Sequence, residues 1–163
     1  MDLLFLVLLV LAIVGTGIVS GVFFAFSGFV MQGLDRLPPA DAARAMREIN
    51  VTAPRPPLML ALFGTGLVLV AIVVLVFAFT GRIAGNGWWM TAAAIIYVVG
   101  AIGVTAGANV PRNNRLAAVS ETDDAALGAA WREFRPGWVA WNHVRWLTSA
   151  AACVCLVVAL LLR

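Results

Sequence analysis

From Leu3 to Met31 the chain carries no charged residue, and that run exceeds the ~20 residues a helix needs to cross the hydrocarbon of a bilayer. Three more apolar runs follow: Pro56 to Thr80, a third opening at Trp88-Trp89, and a fourth from Trp138 to Leu162. With 63% hydrophobic and 12% charged residues, the chain is more apolar than soluble domains, which are roughly half apolar. Inside hydrocarbon each backbone polar group must be satisfied within its own segment, so such runs are helices. The expected fold is all-α: an integral membrane four-helix bundle, up-down-up-down, with two short amphipathic surface helices at the cytoplasmic end. It forms one domain over residues 1–163, with spans at about 3–32, 56–81, 88–110 and 138–162. Met1-Asp2 supplies no basic n-region and the run behind it is too long for a signal-peptide core, so the first span is expected to be retained.

The two surface helices come from the long connections. After Pro38-Pro39, the residues Ala42, Ala45, Met46 and Ile49 recur on one face opposite Asp41, Arg44 and Glu48, the pattern of a helix lying at a membrane surface. Asn50 falls at its C-cap. In the second connection Ser120-Glu121-Thr122-Asp123 has capping-box spacing ahead of Leu127, Ala130, Trp131 and Phe134. Pro111 is expected to stop the third span and leave carbonyls for side chains to satisfy.

All 11 basic residues are arginine. Only Arg82 and Arg163 lie in the middle turn and the C-terminus; the other nine lie in the long connections and the start of span four. The positive-inside bias then puts both long connections in the cytoplasm and both termini outside. Arginine-only basic usage with abundant alanine and glycine reads as a GC-rich coding sequence. The expected location is a bacterial inner membrane. No basic stripe exists for nucleic acid, which excludes that partner class. Membrane lipid is the expected surround. Gly17 and Gly21 form a GxxxG pair beside Gly28, while Gly100, Gly103 and Gly107 flatten one side of span three. These faces suit close helix contact, within the bundle or between copies in an oligomer. Cys153 and Cys155 are two apart and point to different sides of a helix, so they read as small apolar residues.

Polar groups inside the spans are the functional candidates, because a charge at mid-bilayer costs at least ~2.5 kcal/mol on insertion scales. Trp138, Trp141, Asn142, Arg145 and Ser149 fall within about 100° of one another on a helical wheel, and His143 lies roughly 140° from Trp138. Asn109 and Asn113 close span three and are expected to face Asn142 and Arg145. In span one Thr16, Ser20, Phe23, Ser27 and Met31 share a face that lipid would not reward. One histidine, separated cysteines and no carboxylate in any span cannot assemble an ordinary metal site, and no cofactor is expected.

Several segments in order resemble the anthrone oxygenase-like family of small membrane proteins, over nearly the whole chain. They are Gly21-Val22-Phe23-Phe24-Ala25-Phe26-Ser27 with Val30-Met31, Met46-x-x-Ile49-Asn50, and Asn109-Val110-Pro111-x-Asn113-x-x-Leu116. The last is Trp131-x-x-Phe134 leading to Trp138-x-x-Trp141-Asn142-His143-x-Arg145. Arg112 stands where leucine would be expected and Phe134 near an expected tyrosine, so neither carries a role over.

The resemblance implies cofactor-independent oxidation, by O₂, of an anthrone or quinol-type polycyclic aromatic. Such chemistry needs a base, donors for a phenolate oxygen and a flat dry slot. His143 is the one side chain with an ordinary pKa near neutrality and is the expected base. Arg145 is expected to act with it, and Asn142, Asn109 and Asn113 to help hold the oxyanion. Phe23, Phe24, Ser27, Met31 and Trp138 are the expected walls of the substrate slot, for a hydrophobic aromatic small molecule. The competing reading is non-enzymatic: a small membrane protein that binds lipid or another hydrophobic ligand, or serves as an accessory subunit of a membrane complex. A transporter is disfavoured, since no acidic residue lies within a span to couple protons.

Overall fold

The computed structural model describes residues 3–80 and 85–162. Residues 81–84 of the short middle turn, with Arg82 and Arg163 of the arginine count, lie outside the described residues.

Five helices account for the described chain. Four are long and apolar enough to cross a membrane: α1 (Leu3–Leu34), α3 (Pro56–Phe79), α4 (Gly87–Ala117) and α5 (Asp124–Leu161). The fifth, α2 (Pro39–Thr52), is the amphipathic helix of the first connection. The chain is an all-α membrane bundle. Helix α1 packs on α3 and α5, and α4 packs on α3 and α5, closing a ring of four. Only 22% to 33% of each span's most apolar window is buried, so the apolar remainder, such as Leu11, Leu67 and Val99, faces outward where lipid is the compatible solvent.

Neighbouring helices approach closely where a glycine meets a branched side chain. A Cβ on Gly15 would run into Thr65 and one on Gly100 into Thr148. The other glycine stripes do not serve the bundle. Gly17, Gly21 and Gly107 have nothing within 4 Å of such a Cβ, so the GxxxG pair points away from the other described helices, and of the span-three glycines Gly100 alone lies against a neighbouring helix. Sequence spacing tells that glycines share a face, and leaves open whether the face looks inward.

The helices run through residues that look like breakers. Pro111 does not stop α4: it sits in the first turn of the α-helical segment Val110–Ala117, directly after a π-helical turn, Thr105–Asn109. There the Val110 N–H reaches back to the Thr105 carbonyl, and the wider turn makes room for the proline ring. The Arg112 Nη1 then donates to the Ala108 carbonyl at 2.8 Å. Likewise the second amphipathic segment is not a separate surface helix but the opening of α5, which continues through Pro136. Its cap is Asp123, whose Oδ1 accepts the Ala126 N–H at 2.8 Å, rather than Ser120.

Helix α2 extends to Thr52, placing Asn50 inside its last turn rather than at the cap. Its apolar face is covered by protein. Ala42, Ala43 and Met46 pack with Met31, Leu127 and Trp131 in a second core at the connection end. Ion pairs close the rim: Arg44 with Asp41 and Asp124, Arg47 with Glu121, and Arg135 with Asp35.

Candidate functional site

Intervals of four, three and four residues put Trp138, Asn142, Arg145 and Ser149 on one face of α5, and all four are buried. Arg145 is only 6% exposed. Its Nη2 donates to Asn142 Oδ1 at 2.7 Å, and Nη1 reaches Thr105 Oγ1 of α4 at 3.4 Å. The guanidinium carbon lies 4.1 Å from the centre of the Phe23 ring and 5.1 Å from that of Trp138, a cation held against two aromatic rings. Asn142 completes the link to α1, donating from Nδ2 to the Phe23 carbonyl and to Ser27 Oγ, both at 2.7 Å. Ser27 stands in a π-helical turn, Phe26–Val30, which widens α1 where the amide meets it.

Asn109 and Asn113 serve Trp138 instead of Arg145. Asn109 Nδ2 donates to the Trp138 carbonyl at 3.2 Å, and Trp138 Nε1 donates to Asn113 Oδ1 at 2.9 Å. The span-three partner of Arg145 is therefore Thr105. Two buried polar atoms of this cluster have no partner, Arg145 Nε and Asn109 Oδ1. Among the described residues Arg145 makes no ion pair.

The structure separates His143 from this cluster. The ring is exposed on the outer face of α5, where Nδ1 accepts the Trp146 Nε1–H at 2.9 Å. Phe24 packs edge-on against Trp146 with ring centres 5.5 Å apart, and Ser20 Oγ donates to the Trp146 carbonyl at 3.0 Å. With Nδ1 occupied as acceptor, a neutral His143 carries its proton on Nε2 and offers a donor outward, not a base inward. Phe24 goes with this outer group, and Met31 with the core under α2. The expected residues that do assemble are Arg145, Asn142, Ser27, Phe23, Trp138, Asn109 and Asn113. Phe26, whose ring centre is 5.7 Å from that of Trp138, and Thr105, as the partner of Arg145, are additions from the structure. Thr105 is readable as an inward polar group of α4, but the π-helical turn that aims Phe26 carries no sequence signature.

A buried guanidinium with a free N–H and no carboxylate beside it is an unsatisfied cation. It is flanked by the Phe23 and Trp138 rings, and a guanidinium is a strong hydrogen-bond donor to anionic oxygen. Among the described residues no three His, Cys, Asp or Glu side chains gather as a metal-ligand set.

No curated protein and no solved structure matches the chain. One family model, described as anthrone oxygenase, matches residues 58–155. That stretch holds nearly all of α3, all of α4 and most of α5, and so Thr105, Asn109, Asn113, Trp138, Asn142 and Arg145, while the α1 contributions of Phe23 and Ser27 precede it. By that match the chain belongs to the anthrone oxygenase family.

Proposed function

We propose that this protein oxidises an anthrone-type phenolic polycycle with O₂ in the membrane, and that Arg145 is its catalytic residue. The observation that carries the reading is the buried Arg145 guanidinium, with Nε unpartnered and no ion pair among the described residues, against the Phe23 and Trp138 rings. Membership of the anthrone oxygenase family supports this choice of substrate class.

In the proposed reaction the ring methylene of the anthrone loses a proton and the charge moves onto the carbonyl oxygen. Arg145 stabilises that oxyanion by charge and by hydrogen bonds, which makes the C–H more acidic where little water competes. The carbanion carbon gives its electrons to O₂ and forms a C–O bond, and the peroxide takes a proton. Loss of water across that carbon then leaves the second carbonyl. One anthrone and one O₂ thus become one anthraquinone and one water. Asn142 holds the guanidinium in place, and Trp138 and Phe23 stack on the rings. The proton leaves to solvent, with His143 outside the chemistry because its ring is exposed on the outer face of α5.

Oxygen uptake by purified protein in nanodiscs, with an anthrone as substrate, tests this. Wild type should turn over, and Arg145→Met should lose most of kcat, on the order of 10²-fold or more for an oxyanion donor. His143→Gln should turn over like wild type. No oxygen uptake by wild type with any anthrone sinks the reading, and loss of activity in folded His143→Gln restores the histidine as base.

A further inference from the structure

A hollow of ≈ 380 Å³ opens where the end of α2 meets the start of α3 and the π-helical turn of α1. Ile49 of α2, Ala53 at its C-cap, Pro57 and Leu58 of α3, and Phe26 of α1 form its apolar wall, and Arg55 joins the lining. It lies within the range of small-molecule pockets, ~300–1,000 Å³. Phe26 is shared. It lines the hollow, while its ring centre is 5.7 Å from that of Trp138, which in turn lies 5.1 Å from the Arg145 guanidinium carbon. Hollow, Phe26, Trp138 and Arg145 are thus consecutive neighbours.

We infer that this hollow is the entry and holding site for a planar polycyclic phenol, with Phe26 as the partition between it and Arg145. The inference rests on the aromatic-oxyanion reading above. Three features favour a flat phenol over an acyl chain. The inner wall carries the Phe26 ring, itself packed on Trp138 behind it, and an aromatic wall rewards stacking. Arg55 makes no ion pair among the described residues, so it can meet a phenolate oxygen. Behind Phe26 and Trp138 stands a second guanidinium without an ion pair among the described residues, that of Arg145. A phenol gathers at the bilayer interface with its hydroxyl toward water, and the prolines that start α3 belong at that level. Ile49 and Leu58 would grip the rings, and rotation of Phe26 would pass the substrate inward to Trp138.

The probe is an unreactive dihydroxyanthraquinone, titrated against full-length protein in phosphatidylcholine nanodiscs, with empty nanodiscs as the partition control. Thr52→Trp and Ala53→Trp each put an indole into the hollow; Thr52 is exposed, so its variant keeps the fold if the other does not. Wild type should bind one equivalent saturably, and either folded variant should bind about tenfold more weakly or worse. In oxygen uptake the same variants should raise KM with kcat nearly unchanged, the opposite split from Arg145→Met. Weaker binding in the variants with no turnover by wild type keeps the holding site and removes the oxygenase reading. Undiminished binding in both folded variants, or no saturable binding by wild type, overturns the hollow as the site. Turnover that persists in those variants and is lost in Arg145→Met leaves the oxygenase reading standing without it.

Discussion

Asn142 and Arg145 should behave as one energetic unit, and a double-mutant cycle can show it. Asn142→Leu leaves Arg145 with only the 3.4 Å contact to Thr105 and strips Ser27 Oγ of its donor. A hydrogen bond to a charged group is worth ~1.5–3 kcal/mol in soluble proteins. Side-chain bonds within membranes average about 0.6 kcal/mol and reach about 1.7. The Arg145–Asn142 contact is charged, short at 2.7 Å and buried, so the upper end of the membrane range applies. With the Ser27 bond added, Asn142→Leu should cost ~2–3 kcal/mol. In an Arg145→Met background the same change should cost ~1 kcal/mol, since no buried cation remains to be stranded. The coupling is then ~1–2 kcal/mol, and the double variant should be little worse than Asn142→Leu alone. Unfolding free energies from detergent titration in mixed micelles measure all four corners. A coupling below ~0.5 kcal/mol, the scatter of independent sites, would refute Asn142 as the partner of the guanidinium.

Cysteines placed at Arg36 and Ala125, in a background without Cys153 and Cys155, should react only with membrane-permeant reagents if both connections face the cytoplasm; labelling of intact cells by an impermeant reagent reverses the orientation. Gly100→Ala should destabilise the bundle by ~1–3 kcal/mol, because its Cβ meets Thr148, and Thr148→Gly should recover part of that loss in the same unfolding assay. Arg44→Ala should speed amide exchange in α2 and leave the spans unchanged, since Arg44 ties Asp41 of α2 to Asp124 at the start of α5. The hydrogen bond that Arg44 donates to Asp124, foremost among the causes, raises the Arg44 pKa. Its contribution is therefore complete below the unfolded-state pKa and lost only as pH rises through the folded value. Near neutral pH the exchange difference between wild type and Arg44→Ala should not vary, and a titration there would point to the carboxylates instead.

The spans were legible because a charge-free run as long as Leu3–Met31 admits few structures. Wheel angles also separated His143 from the face of Arg145, as the structure has it. Helix continuity was hidden. Pro111 and Pro136 look like stops when read locally, and what carries α4 past Pro111 is a π-helical turn built from ordinary residues, Thr105 to Asn109. The partner of Arg145 was misread for a related reason. A π-helical turn changes the angular register along α4, so Asn109 and Asn113 come round to Trp138 while Thr105 meets the guanidinium. The glycine pair at Gly17 and Gly21 shows a different limit, for a period reveals a face but not its neighbour.

Helix α5 runs unbroken for 38 residues, roughly 57 Å at 1.5 Å per residue, well beyond the ~30 Å hydrocarbon core. Asp124, tied by ion pairing to α2, and Arg145 therefore ride on one helix, with Pro136 between them. Proline removes one rung of the hydrogen-bond ladder, so bending of α5 under a load at the connection end concentrates there, ahead of the guanidinium.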